Sequence, residues 1–359
     1  MQQSLSSIRE IIIFGAQEYF IKNYNFHNIK FSKSTRNRDT LSQLSRGILE
    51  FLGVTTFIIL IFYLMMVQNN ISDIIVIVGV FAAAISRLLP SVSSLVTLSQ
   101  LIKFNSPAID LVYKELTIKE DLKENNNNIL EFKNSLELKN VSYKYPGADE
   151  NILKDVNIKI NQGDKIGIIG GTGSGKTTLI NLVSGLLSPL TGEINVDGVL
   201  LKDENLSSWT KNLSYVPQAV YLTDETILKN ITFGLDEKVQ KEKIDEILNV
   251  VELFNFVNSL KDKYNSIVGE KGAKISGGQA QRIGIARALY RNSSVIILDE
   301  STNELDEQTE KKLLKKLYEY KSKNTIITIS HNLKNLYFCN KIFKIMDGKI
   351  LETKNEKHI

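Results

Sequence analysis

Residues Gly170-Gly171-Thr172-Gly173-Ser174-Gly175-Lys176-Thr177 fit the pattern G-x-x-x-x-G-K-[ST], directly after the apolar run Ile166 to Ile169 and before a helix-compatible run from Thr178. Strand, glycine-rich turn and helix start, in that order, are what a phosphate cradle needs. Glycines let successive backbone N–H groups turn toward one point, and the helix directs the positive end of its dipole there. Lys176 is placed to reach the β- and γ-phosphates of a nucleoside triphosphate. The Thr177 hydroxyl is placed to ligate Mg²⁺, which takes hard oxygen ligands and leaves its other positions to water and phosphate.

Phosphoryl transfer also needs a carboxylate for the metal and one for the attacking water. The apolar run Val295-Ile296-Ile297-Leu298 ends in Asp299-Glu300, so Asp299 takes the metal role and Glu300 that of base. Between loop and acids lies Ile275-Ser276-Gly277-Gly278-Gln279, followed by Ala280-Gln281-Arg282 and a helix-compatible run from Ile283 to Tyr290. A serine and two glycines at a helix start make a second small anion nest. One phosphate loop has no use for it unless it serves another nucleotide.

These groups must be positioned by a layered α/β unit. Short β-rich runs from Leu136 to Ile160 are punctuated by Tyr-Pro-Gly and Asn-Gln-Gly, and strand-like runs (Ile166 to Ile169, Val295 to Leu298, Thr325 to Ile329) alternate with helical stretches. This unit is expected over residues 134–359, behind a linker at 121–133 that contains the polar tract Lys123 to Asn128. Residues 1–120 read differently. Ile48 to Val67 carries one charge, Glu50, and the predominantly apolar run Ile71 to Ile102 is uncharged from Ile74 onward apart from Arg87. Each run meets the requirement of roughly 20 apolar residues for crossing hydrocarbon. A membrane hairpin with spans near 48–67 and 71–95 is expected, turned at Gln68-Asn69-Asn70. Arg9, Lys22, Lys30, Lys33, Arg36, Arg38 and Arg46 precede it while the turn has no basic residue, which puts both flanks in the cytoplasm. The stretch from Ile8 to Ile48 reads as a helical cytoplasmic extension of the first span.

Composition limits the partners. The chain has 359 residues with 44 basic and 40 acidic side chains, a net charge of +4 that gives no reason to expect nucleic acid. Its one cysteine, Cys339, excludes an internal disulfide, and no Cys/His cluster has zinc spacing. No signal peptide is expected, because Ile11 to Phe14 is a very short apolar run followed by charges.

With these motifs in this order, residues 136 to 350 resemble the ATP-binding cassette of ABC transporters. Gly170 to Thr177 looks like its Walker A loop, Ile275 to Gln279 its signature, and Val295 to Asp299 its Walker B strand. In the same series Gln218 of Tyr-Val-Pro-Gln looks like the Q-loop glutamine, His331 of Ile-Ser-His the switch histidine, and Tyr145 of Tyr-Lys-Tyr-Pro-Gly the aromatic that stacks on adenine. The resemblance implies ATP and Mg²⁺ as ligands. It implies cassettes paired head to tail, as homodimer or heterodimer, with Ser276, Gly277, Gly278 and Gln279 closing on the opposing ATP and Gln218 joining the Mg²⁺ site. Two departures stand out: Ile275 replaces the usual leucine, and Ser301-Thr302-Asn303-Glu304-Leu305-Asp306 keeps Asp306 but puts the charge of Glu304 where small residues are usual. Glu304 should lie near the dimer interface and disturb communication between the ATP sites.

Ile267-Val268-Gly269-Glu270-Lys271-Gly272 resembles the X-loop of exporters, and the stretch from Ser7 to Gly15 resembles the cytoplasmic start of their fifth membrane helix. The two spans then correspond to helices five and six. Helices one to four would come from a companion chain or a longer polypeptide, or are lost in a relic. Arg87-Leu88-Leu89-Pro90-Ser91 and Lys103-Phe104-Asn105 resemble the sixth-helix region of flippases for lipid-linked oligosaccharides, which would make Arg87 a contact for a phosphate-bearing headgroup. The expectation is an ATP-driven exporter or flippase of the inner (plasma) membrane, moving a lipid-linked glycan or polar lipid. Peptide or multidrug export, a soluble non-transport ATPase of the same family, and an inactive fragment are the competing readings.

Overall fold

Each apolar run expected to cross a membrane belongs to a helix far longer than a bilayer. The computed structural model describes residues 5, 7–67, 71–117, 130–235 and 240–353. The turn at 68–70, the polar tract at 123–128 and most of the expected linker lie outside them. The chain divides between Glu120 and Asp121 into two units.

In the first unit a short helix α1 (Ile8–Ile13) precedes α2 (Gln17–Val67) and α3 (Ile71–Thr117). The expected continuous extension from Ile8 is broken at Phe14 to Ala16, because Gly15 takes a left-handed φ of 62° that ends the first helix. At 51 and 47 residues, α2 and α3 are roughly 75 and 70 Å long, against about 30 Å of hydrocarbon. The stretches apolar enough to span are Gly47–Val67 and Ile74–Thr117. The second extends past the expected end near residue 95, since α3 runs unbroken through Lys103 and Pro107. Gly53 of α2 approaches Leu89 of α3 so closely that a Cβ would sit 2.6 Å from Leu89 Cδ1. Arg38 lies over the Phe104 ring at 5.2 Å. Moving back along α2 is matched by moving forward along α3, so the pair is antiparallel. Phe62 and Ile75 are among many large apolar side chains left exposed on both helices, and Leu64 is a buried exception. Among the described residues no core cluster falls in the hairpin, and its exposed apolar surface suits lipid or further helices.

The second unit opens with β1 (Ser135–Tyr143), β2 (Leu153–Asn161) and β3 (Lys165–Gly170), then α4 (Lys176–Val183), β4 (Thr191–Val196), β5 (Val199–Leu200), α5 (Asp203–Lys211) and β6 (Leu213–Val216). A helical stretch follows: α6 (Ile227–Thr232), α7 (Lys241–Val250), α8 (Phe254–Ser259) and α9 (Gly277–Arg291). The chain then returns through β7 (Val295–Asp299), α10 (Glu307–Tyr320), β8 (Thr325–Ile329), β9 (Lys341–Met346) and β10 (Lys349–Thr353). An antiparallel sheet has the order β2-β1-β4-β5, and a larger sheet the order β10-β9-β3-β8-β7-β6. From β9 to β6 all neighbours in the larger sheet are parallel. Parallel strands end along one edge, and that edge is where an open α/β sheet carries its ligands.

Residues of the central strands alternate between two cores, as a period of two requires. Val295 and Ile297 of β7 pack in one core with Trp209, while Ile296 and Leu298 pack in the other with Ile283 and Leu289 of α9. Trp209 is fully buried and its indole donates to Val183 O at 2.8 Å, so its polar edge is satisfied.

At the opposite end of β3, Asp164 accepts from Asn161 N (2.8 Å), Asn340 Nδ2 (3.0 Å) and Lys341 Nζ (2.8 Å), tying the β2–β3 turn to β9. Burial pushes the Asp164 carboxyl up, but the bonds from Lys341, Asn161 and Asn340 outweigh it and hold the group below its usual range. Its stabilising contribution is therefore present above the ordinary aspartate pKa of about 4 and is lost as pH falls through the lower folded value. Asp164→Ala is expected to cost about 2–4 kcal/mol by orphaning a partly buried lysine and backbone donor. Urea unfolding at neutral pH and in acid checks this: the deficit should shrink in acid.

Candidate functional site

The phosphate-type loop leaves β3 at Gly170 and enters α4 at Lys176. Gly175 caps that helix at φ 100°, and a Cβ there would lie 3.0 Å from the side chains of Ile152 and Leu153, so both conformation and packing demand glycine. The buried Lys176 side chain folds back over the loop, its ammonium donating to Gly170 O and Gly171 O at 2.9 Å each. Ser174 Oγ is buried with no hydrogen-bond partner among the described residues. Such an orphan costs about 1–3 kcal/mol in an ordinary interior. Thr178 Oγ1 lies 3.3 Å from the hydroxyl of Tyr145, whose ring meets Tyr143 edge-on and is partly exposed.

The two acids diverge at the end of β7. Asp299 continues the strand, paired with Ile329 of β8, and its Oδ2 accepts from Tyr215 Oη at 2.9 Å. Burial pushes Asp299 above the usual aspartate range and the charge of Glu300 adds to this, while Tyr215 and Lys176 oppose it. Tyr215 is itself pushed well up, by burial first and then by Asp299. Glu300 turns away with a left-handed φ of 47° while its N–H donates to Ile329 O at 3.1 Å. A left-handed conformation costs a non-glycine residue roughly 1–2 kcal/mol, and here it aims the carboxylate into the cleft. Glu300 Oε1 lies 2.8 Å from His331 Nε2, and Oε2 accepts from Gln218 Nε2 at 3.0 Å and Asn303 Nδ2 at 3.1 Å. β6, β7 and β8 thus deliver glutamine, acid and histidine to one point because they end on the same edge.

Tyr145, Ile152, Thr172, Gly173, Gly175, Lys176, Thr177, Thr178, Gln218, Asp299, Glu300 and His331 line one cleft of about 550 Å³. That size suits a nucleotide. Gly170, Gly171 and Ser174 belong to the loop without lining the cleft. The donor set facing Mg²⁺ would be the Thr177 hydroxyl, the Asp299 carboxylate and the Gln218 amide oxygen, all hard oxygens, and a site with one carboxylate suits a metal that completes its shell with phosphate and water. Among the described residues no group of three or more His, Cys, Asp or Glu forms a metal cluster.

Ser276 to Gln279 do not join this cleft. They form a capping box at the start of α9: Ser276 Oγ accepts from Gln279 N at 3.3 Å, and Gln279 Oε1 accepts from Ser276 N at 2.9 Å. Ile275 packs against the core containing α9, as an apolar residue of leucine's volume should. A Cβ on Gly277 would lie 2.9 Å from Glu304 Oε2, so the charge singled out in the sequence rests against the signature glycine. Arg87 belongs to the other unit, on exposed α3 surface, with its carbonyl accepting from Ser91 Oγ at 3.3 Å.

Sequence reasoning assigned no role to Tyr215, Asn303 or Gln281. Gln281 is buried; its Oε1 accepts from Glu304 N at 3.0 Å and its Nε2 donates to Gln218 O at 3.5 Å, joining α9 to the loops after β6 and β7. A glutamine one turn into an apolar helix face was the available signal. The X-loop-like segment pairs Ile267 with Thr226, and Val268 N donates to Glu225 O at 3.0 Å.

Residues 153–303 match the sequence family described as "ABC transporter". Among curated relatives, the ATP-dependent lipid A-core flippase of Haemophilus influenzae (strain 86-028NP) is 30% identical over 366 residues, covering 99% of this chain and 61% of the relative. That of Shigella flexneri is 29% identical over 353 residues, covering 98% and 60%. The chain thus spans about three fifths of the length of these relatives. A solved structure described as a bacterial Atm1-family ABC exporter with ATP bound superposes with a TM-score of 0.87 at 23% identity, covering 98% of this chain and 62% of that one.

Proposed function

We propose, since residues 153–303 match the family described as "ABC transporter" and the chain has the fold of a solved exporter, that it hydrolyses ATP to drive transport across a membrane. The observation that carries this reading is the convergence of the phosphate-type loop, Asp299, Glu300, Gln218, His331 and Tyr145 on one cleft. Tyr145 stacks on the adenine, and the loop amides with Lys176 hold the phosphates, Lys176 exchanging the carbonyls of Gly170 and Gly171 for phosphate oxygens. Thr177, Asp299 and Gln218 hold Mg²⁺, which when bound offsets charge on the phosphate oxygens. Glu300 takes a proton from the attacking water, for which it must release some of its three donors, and His331 steadies the γ-phosphate. Two cassettes pair head to tail, each supplying its Ser276-to-Gln279 nest to the other's ATP.

The cargo is an amphiphile with a polar, phosphate-bearing head. Flippases for lipid A-core are among the relatives, and Arg87 is a cation within an apolar helix stretch. The basic residues flanking the apolar stretches favour a plasma-membrane hairpin with the cassette in the cytoplasm. The remaining membrane helices come from a companion chain or from a longer form of this one.

The purified chain, with its companion helices if separate, should retain ATP and release phosphate with Mg²⁺; neither occurring overturns the proposal. Arg87→Ala in proteoliposomes should lower translocation of a labelled glycolipid per ATP hydrolysed several-fold, and an unchanged ratio removes Arg87 from the cargo path.

A further inference from the structure

Glu300 has three hydrogen-bond or ion-pair partners, but among the described residues Tyr215 is the only hydrogen-bond donor to the Asp299 carboxylate. Tyr215 sits on β6, the edge strand, at the level of Ile297 in the parallel pairing with β7. From there only a long side chain with a polar tip reaches Asp299, two residues farther along, and the phenol does so at 2.9 Å. Asp299 lines the cleft and Tyr215 does not, so the hydroxyl grips the carboxylate from outside the space where nucleotide and metal would sit. Tyr215 keeps 44% of its surface exposed and belongs to neither core cluster, so the bond from its hydroxyl to Asp299 is the specific contact a tyrosine makes here.

We propose that Tyr215 is a positioning residue for the metal site: it fixes one oxygen of Asp299 from behind, so that the carboxylate presents a single orientation to Mg²⁺ and does not turn onto the Lys176 ammonium. This rests on the reading of Asp299 as a metal-holding group. Lys176 is close enough for its charge to act on Asp299. A carboxylate free to rotate would pair with that ammonium and draw it from the phosphates, weakening metal and triphosphate binding together. The phenol holds Asp299 apart without adding a charge of its own. It also completes a division of labour along one short segment, with Tyr215 gripping Asp299 and Gln218, three residues on, gripping Glu300.

The test reads metal binding without turnover. In the full chain with Glu300→Gln and saturating ATP, Mn²⁺ is titrated by electron paramagnetic resonance. Tyr215→Phe is expected to raise the Mn²⁺ dissociation constant roughly tenfold, the loss of one hydrogen bond to a charged group. ATP affinity in EDTA and the circular dichroism spectrum should stay as in the parent, which a merely structural role would not allow. Mn²⁺ affinity within twofold of the parent overturns the proposal, provided Asp299→Asn in the same background loses it. If Asp299→Asn also keeps full affinity, the metal reading itself fails and this inference with it. Should Tyr215→Phe not fold, a fluorotyrosine at position 215 carries the test. Its fluorine resonance is expected to shift when Mg²⁺ is added to the ATP-loaded chain, and no shift overturns the proposal.

Discussion

Glu300→Gln is expected to bind ATP about as well as the parent chain and to hydrolyse it roughly 10²–10⁴ times more slowly, the range a positioned general base contributes. The substitution keeps volume and one acceptor oxygen, so Gln218 and Asn303 retain a partner on the Oε2 side. It removes the charge that polarises water and turns the group facing His331 Nε2, at 2.8 Å, into an amide. Neither change touches the loop carbonyls that hold Lys176, so nucleotide retention should survive. Filter binding of labelled ATP beside phosphate release separates the two effects. Full turnover in the variant would take the base away from Glu300 and give its role to another group in the cleft.

The same residues show what a sequence can and cannot disclose. Gly170 to Thr177 were legible because strand, turn and helix start follow one another along the chain, so local spacing alone specifies the cradle. Asp299 and Glu300 were legible as acids at a strand end. That they share a cleft with Gln218 and His331 depends on the order β8-β7-β6, which no local pattern encodes. The Tyr215–Asp299 bond was hidden for a related reason. It needs the register that sets Tyr215 beside Ile297, and a one-residue slip would turn the phenol to the other face. Glu304 was visible as a charge among small residues. Its place against Gly277 follows from Gln281, which pins the Glu304 N–H from inside α9, and a buried glutamine looks like any other in a sequence. In the first unit, composition disclosed both apolar runs. The break at Gly15 was concealed because a single glycine in helix-compatible sequence is compatible both with a continuing helix and with a helix end.

Lys176→Ala should have the broadest effect of any single change, because among the described residues Lys176 is the only lysine or arginine lining the cleft. A triphosphate brings several negative charges to a half-enclosed site, where the Coulomb energy of one ammonium is larger than in open water. Charge-assisted hydrogen bonds to phosphate oxygens are worth about 1.5–3 kcal/mol each. Losing two of them weakens ATP binding by about a hundredfold or more, and hydrolysis should fall below detection. The fold should tolerate the change, since what is left behind is two backbone carbonyls, Gly170 O and Gly171 O, on a half-buried and an exposed residue that water can reach. Lys176→Arg is not a rescue: the planar guanidinium is bulkier than the ammonium and cannot settle between those carbonyls in the same way. Fluorescence of a labelled ATP analogue, with circular dichroism as the control for folding, decides the matter. Parent-like affinity in a folded Lys176→Ala chain would mean that the loop does not grip the triphosphate, and the assignment of the cleft would fall.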